Sequence, residues 1–211
     1  MQKPDSLIFD MDGTLWDAAD TYTMSWNILF QRLNINRVMT RDELLQRIGW
    51  EGKKVMAAIL PEFTEEERFE MYGMVNLIRR EIIPIHGGIL YDGVMEGLKL
   101  LSTKYKLFIL SNCGKGIIRD FIDWAGIDDL ILDELAYGVN NMPKHYNLNL
   151  LKEKHGLVSP IYVGDTSGDS DESTKASFPF VFVNYGFGTT NKFDQEFSSF
   201  SDLTTYFMDL K

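Results

Sequence analysis

The chain has 211 residues, 45% of them hydrophobic, 25% charged and 13% aromatic, a balance that excludes disordered and fibrous classes and fits one globular domain with room for a smaller insertion. Its 31 Asp and Glu against 21 Lys and Arg give a formal charge of −10, which repels nucleic-acid phosphates, and no dense basic run offsets it. A chain of this length buries roughly 70% of its unfolded surface without help from disulfides or a structural metal, and the single cysteine, Cys113, has nothing to bridge. The opening MQKPDSLIFDMDGT meets acidic positions before any long apolar stretch, and no later run approaches the roughly 20 apolar residues that cross a bilayer. A cytoplasmic protein without a membrane anchor is expected.

In chain order, Ser6 to Asp10 (SLIFD) is a short apolar run that stops at an acid, as a buried parallel strand does at the carboxyl edge of its sheet. From Asp17 to Arg80 the spacing turns helical. Trp26, Leu29, Phe30 and Leu33 fall at i, i+3, i+4 and i+7, followed by Leu44, Leu45, Ile48 and Val55 and then Phe69, Tyr72 and Met74. Strand signals resume only after His86-Gly87-Gly88, so residues 17–86 are expected to form an inserted helical cap, with 1–16 and 87–211 forming the core. The core continues with a helix over Gly93 to Tyr105, strand Lys106 to Ser111, and a helix over Gly116 to Trp124. Strand Glu134 to Tyr137, a helix over Asn147 to His155, strand Pro160 to Gly164, a helical stretch through Thr174 and strand Phe180 to Asn184 complete it. Alternation of this kind predicts an α/β fold: a doubly wound, mostly parallel Rossmann-like sheet with helices on both faces.

Ligands of such sheets bind beyond the carboxyl ends of the strands, and the residues there are polar. The first strand delivers Asp10 and Asp12, the second Ser111 and Asn112, and PIYVGD delivers Asp165 followed by Asp169; Lys144 lies in the loop before the preceding helix. Carboxylates converging with a lysine and a hydroxyl suit Mg²⁺, which takes a few carboxylates, waters and phosphate oxygens. Without a cation the acids would repel one another and one would keep its proton. In DMDGT two carboxylates two residues apart point the same way, Gly13 permits a sharp turn, and Thr14 offers a hydroxyl and an amide to a phosphate. One acid attacking while the other moves a proton is the arrangement of an aspartyl-phosphate route.

Asp10-Met11-Asp12-Gly13-Thr14, Ser111-Asn112, Lys144 and Gly164-Asp165-Thr166-Ser167-Gly168-Asp169 together resemble the four ordered motifs of the haloacid dehalogenase-like hydrolase superfamily. Tyr91-Asp92-Gly93-Val94 and Asn184-Tyr185-Gly186-Phe187-Gly188 resemble stretches of its phosphoglycolate-phosphatase-like branch, whose helical cap follows the first motif. The resemblance implies Asp10 as nucleophile and Mg²⁺ ligand, and Asp12 as general acid/base that ligates through its backbone carbonyl. It implies Ser111, Asn112 and Lys144 as phosphate ligands, Asp165 as a direct metal ligand, and Asp169 as one acting through water or by orienting the lysine. Two departures stand out: Pro143 precedes Lys144 where the family has a proline after its lysine, and Ser177 stands where a glycine is usual.

The same residues admit other readings. An EF-hand counted from Asp10 needs glycine and glutamate where this chain has Leu15 and Thr21. Asp165 and Asp169 alone would pass for helix caps. Cys113 reads as a buried small residue, and His86, His145 and His155 have no metal-ligand spacing. In the cap, Arg47, Lys53 and Lys54 flank Gly49-Trp50-Glu51-Gly52, a segment able to face the site and read a leaving group, although a solvated helical face explains the charges as well. Trp26, Phe30, Phe63 and Phe69 read as cap core. The expected function is Mg²⁺-dependent hydrolysis of a small phosphorylated metabolite. A sugar-phosphate mutase is the alternative within the same chemistry, and a phospho-receiver-like module or a catalytically silent binding protein the alternatives outside it. The second motif-one acid, Asp12, weighs against a dehalogenase.

Overall fold

The computed structural model describes residues 1–211. Strand β1 (Ser6–Phe9) is wholly buried and leads through β2 (Trp16–Asp17) into four helices, α1 (Ala19–Arg32), α2 (Arg41–Leu45), α3 (Gly52–Ile59) and α4 (Glu65–His86). Helix α4 opens on a capping box, with the Thr64 hydroxyl accepting from the Glu67 amide and the Glu67 carboxylate accepting from the Thr64 amide. The chain returns through β3 (Ile89–Leu90), antiparallel to β2, to α5 (Val94–Ser102), β4 (Lys106–Ser111), α6 (Ile117–Ala125), β5 (Asp133–Ala136) and α7 (Tyr137–Asn140). Then come α8 (Lys144–His155), β6 (Pro160–Gly164), α9 (Ser167–Ala176), β7 (Phe180–Val183), β8 (Gln195–Phe197) and α10 (Phe200–Asp209). No helix is long and apolar enough to cross a membrane.

The main sheet has six strands in the order β5-β4-β1-β6-β7-β8, all paired in parallel. Period-two alternation divides its side chains between two cores. Leu7, Phe9, Leu107, Ile109, Ile161 and Val163 share one face with Leu98 of α5, Phe121 of α6 and Phe207 of α10. Ile8, Phe108, Leu110, Tyr162 and Phe182 share the other with Leu148 of α8 and Ala176 of α9. The sheet is therefore doubly wound, as its alternating strands and helices predict.

Several local expectations shift. Helix α8 begins at Lys144 directly after Pro143, so this lysine occupies the first helical turn and not a loop; a proline with fixed φ is a good helix opener. Strand β8 and helix α10 lie beyond the last predicted element, although Phe200, Leu203, Thr204 and Phe207 have helical spacing and are buried. Phe69 is 72% exposed, a correction to its reading as cap core, whereas Trp26 and Phe30 are buried. On α4 the inward face is set by Met71, Val75, Ile78 and Ile82, which places Phe69 outside. The apolar core of the α1–α4 block is also continuous with one face of the sheet. Trp16 joins them, its ring 4.6 Å from that of Phe121 and 5.4 Å from that of Trp124.

Candidate active site

Strand order reverses around β1: the chain first adds β4 and β5 on one side and later β6, β7 and β8 on the other. This is the switch point at which open α/β sheets leave a crevice. The register sets Phe9 beside Ile109 and Val163, so Asp10, Ser111 and Asp165 emerge together at the carboxyl edge. The Asp10 amide still donates to the Val163 carbonyl at 2.8 Å, which ties the acid to the end of the sheet.

Asp10, Asp165 and Asp169 are each at most 1% exposed, and a carboxylate oxygen of each lies within 4.8 Å of the others. Lys144 is the cation among them, its Nζ 2.9 Å from Asp10 Oδ2 and 2.6 Å from Asp169 Oδ1. The Tyr162 hydroxyl accepts from Lys144 and donates to Asp169 Oδ1, both at 2.9 Å. Asp10 Oδ1 accepts from the Met11 amide at 2.8 Å. Asp165 accepts from the Thr14 hydroxyl at 3.2 Å and the Phe187 amide at 2.8 Å. The chain passes very close here: a Cβ on Gly13, whose φ is +85°, would stand 2.2 Å from Asp165 Oδ2. Only glycine suits that turn.

Burial pushes the Asp10 carboxyl well above the ordinary carboxylate range; Asp169 and Asp165 repel it further, and Lys144 pulls the other way. Burial and the neighbouring Asp169 charge push Asp165 up to about 7. Burial acts on Asp169 too, but the Lys144 ammonium and the donated hydrogen bonds outweigh it and hold this acid below its usual range. The pocket thus concentrates more negative charge than one lysine neutralises. Its donors are all oxygen, with no histidine or cysteine among them, which suits a hard divalent cation.

Asp12 faces the helical block instead. Its Oδ1 accepts from Trp16 Nε1 at 3.0 Å and from the Tyr22 hydroxyl at 2.9 Å, and burial pushes its carboxyl up to about 6 against the pull of those bonds. Asp10, Asp12 and Ser111 line a cavity of about 50 Å³ together with Trp26, Arg47 and Arg79. Beside it an open cleft of about 650 Å³ reaches Lys144 and Asp169 past Lys54 and Thr166. The Asn112 side-chain amide donates to the Gly49 carbonyl at 2.8 Å, joining sheet edge to helical block.

The residues singled out in the sequence divide as follows. Asp10, Asp12, Ser111, Asn112, Lys144, Asp165 and Asp169 converge, and Arg47 reaches the cavity. Thr14 does not offer itself to a phosphate. It is fully buried, its hydroxyl is spent on Asp165, and its amide donates to the Met11 carbonyl at 3.3 Å. Asp169 has both oxygens engaged, Oδ1 with Lys144 and Tyr162 and Oδ2 with the amide and hydroxyl of Thr166, so it anchors the lysine and caps α9 at once. Lys53 points away, paired with Glu65 at 2.6 Å on the surface. Lys54 faces the site side, its ammonium 4.0 Å from the centre of the Trp50 ring. Sequence reasoning missed Trp16, Tyr22, Arg79 and Tyr162. Arg79 had a signal: it lies four residues after Val75 and three before Ile82, on the inward side of α4.

Fold and site together define a class of doubly wound α/β proteins with an acidic, cation-competent pocket at the switch point of the sheet. A family profile for haloacid dehalogenase-like hydrolases matches residues 7–183, and the chain belongs to that family. It is similar to the phosphoglycolate phosphatase of Colwellia psychrerythraea, 26% identical over 206 residues that cover 89% of this chain and 87% of the relative. It is also similar to the pyrophosphatase PpaX of Listeria monocytogenes, 32% identical over 127 residues that cover 60% of this chain and 56% of the relative. Its fold is shared with a haloacid dehalogenase-like hydrolase from Streptococcus pneumoniae, at a TM-score of 0.84 and 17% identity over 98% of this chain and the whole of the other.

Proposed function

We propose that this chain is a Mg²⁺-dependent phosphatase of small phosphomonoesters that works through an aspartyl-phosphate on Asp10. The observation that carries the proposal is the position of Asp10, buried at the switch point with Lys144 on one oxygen and Asp165 beside it. Asp10 attacks phosphorus in line, forming an oxygen–phosphorus bond as the ester bond breaks. Asp12 gives the leaving oxygen its proton, then takes one from the water whose oxygen attacks phosphorus and frees Asp10 and inorganic phosphate. Lys144, Ser111 and Asn112 hold the phosphoryl oxygens, and Asp169 keeps Lys144 in place. Asp10, Asp165 and the Asp12 backbone carbonyl would hold the ion, with Asp169 further out. Bound Mg²⁺ supplies the charge that lets these acids and a phosphate share one volume.

The α1–α4 block serves as a cap that excludes bulk water and reads the leaving group. Arg47 and Arg79 in the wall of the cavity between cap and Asp12 favour a polar or anionic leaving group. The test is phosphate release from a panel of small phosphomonoesters, with isomerised product measured alongside. Activity should disappear in EDTA and return with Mg²⁺, and Asp10→Asn should be silent while keeping native circular dichroism. Turnover by that variant within roughly tenfold of the parent would remove Asp10 from the nucleophile role.

A further inference from the structure

The hydrogen bonds around Asp12 all gather on one side of its carboxyl. Trp16 Nε1 and the Tyr22 hydroxyl both donate to Oδ1, at 3.0 and 2.9 Å, and no side chain or amide of the protein donates to Oδ2. Both donors are packed tightly in place. Trp16 is fully buried between Phe121 and Trp124, and its carbonyl accepts from the Gly13 amide at 2.9 Å. Tyr22 is 4% exposed, meets the Trp16 ring edge-on at 86°, and carries the Arg79 guanidinium 4.6 Å from the centre of its ring. Arg79 is itself held by a bond from Nε to Ser25 Oγ at 3.3 Å.

A carboxyl oxygen has two lone pairs, and on Oδ1 both are taken. An aspartate χ2 is otherwise a broad torsion with little preference of its own. We infer that Trp16 and Tyr22 are positioning residues for proton transfer: by occupying Oδ1 they confine the transferable proton to Oδ2 and stop the carboxyl from turning. Neither donor carries charge, so they orient Asp12 without neutralising it. The inference rests on the acid/base role proposed for Asp12 and extends it to two side chains outside the four motifs.

A purely structural role and a positioning role separate by leaving-group dependence. Acetyl phosphate, trifluoroethyl phosphate and ethyl phosphate have leaving groups of similar size and rising basicity: acetate departs with little help from a proton, trifluoroethoxide needs one and ethoxide needs it most. kcat/KM reports the steps up to phosphoryl transfer and is blind to the later hydrolysis of the enzyme intermediate. Tyr22→Phe, which keeps the ring and its packing, should lower kcat/KM for ethyl phosphate roughly tenfold or more and for acetyl phosphate by less than about threefold. Trp16→Phe should show the same gradient, and Asp12→Ala a steeper one. Equal losses on all three esters, or no loss, in both aromatic variants while Asp12→Ala keeps its gradient would overturn the positioning role alone. An Asp12→Ala variant without a gradient would overturn the acid/base reading and this inference with it.

Discussion

Thr14 shows how a motif residue can brace an acid of the pocket from within the core. Its hydroxyl donates to Asp165 from a fully buried position, so Thr14→Val should leave Asp165 badly aimed and more reluctant to ionise. The Mg²⁺ concentration for half-maximal rate should then rise severalfold, since changes at groups that hold a metal ligand typically cost 10–100-fold in affinity or activity. A metal titration of the variant checks this, and an unchanged half-maximal concentration would count against it. Lys53 and Arg79 give the complementary pair. Arg79 lines the cavity beside Asp12, and the Lys53–Glu65 pair is exposed. Arg79→Ala should raise KM roughly tenfold or more for substrates with an anionic leaving group, the worth of a lost hydrogen bond to a charged partner, while Lys53→Ala should stay within about twofold. Asp10 and Asp165 could be read from the sequence because each follows an apolar run that can only be a buried strand. Tyr22 could not, because an aromatic on an amphipathic helix reads as core until its hydroxyl is seen to meet Asp12.

At the scale of elements, α9 carries two duties on one side chain. Asp169 completes the capping box with Thr166 and also receives Lys144 from α8, so helix start and lysine position are set together. The far end of the same helix is where the chain departs from the family's usual glycine. Ser177 closes α9 in the left-handed region at φ +60°, exposed to solvent, with its amide donating to the Thr174 carbonyl at 3.0 Å. A left-handed conformation costs a side chain about 1–2 kcal/mol, and part of that relief is offset by the greater freedom of glycine in the unfolded chain. Ser177→Gly should therefore stabilise the protein by about 0.5–1 kcal/mol, read as a higher urea midpoint at unchanged slope; a lower midpoint would contradict the strain. The final helix, α10, shows that a buried i, i+3, i+4, i+7 pattern was present in the sequence. Its signal is short and mixed with serine and threonine, and its burial against α5 is a tertiary fact.

For the whole molecule, the acidic pocket is a liability that the proposed cation would relieve. Asp10 and Asp165 come from strands far apart in the chain and meet only when β1 and β6 pair, so the unfolded chain has no comparable site. A ligand that binds only the folded state adds about 2.7 kcal/mol of stability at a hundredfold excess over its dissociation constant. For a chain of this size that is of the order of 5–10 °C in Tm. Thermal melts should rise by this amount with saturating Mg²⁺, stay put in EDTA, and lose the shift in Asp165→Ala. A parent protein whose melting temperature ignored Mg²⁺ would contradict the proposed site. The sequence by itself determined the doubly wound sheet and the acids at its edge, because apolar runs that end in carboxylates have one stable place, a buried strand opening on the switch point. Only the tertiary structure decided which of the polar residues line the acidic site and its cavity. Thr14 turned to Asp165, Lys53 turned to solvent, Arg79 turned inward and Tyr22 reached Asp12, since a side chain's partner depends on how helices pack against the sheet and no local spacing encodes that packing.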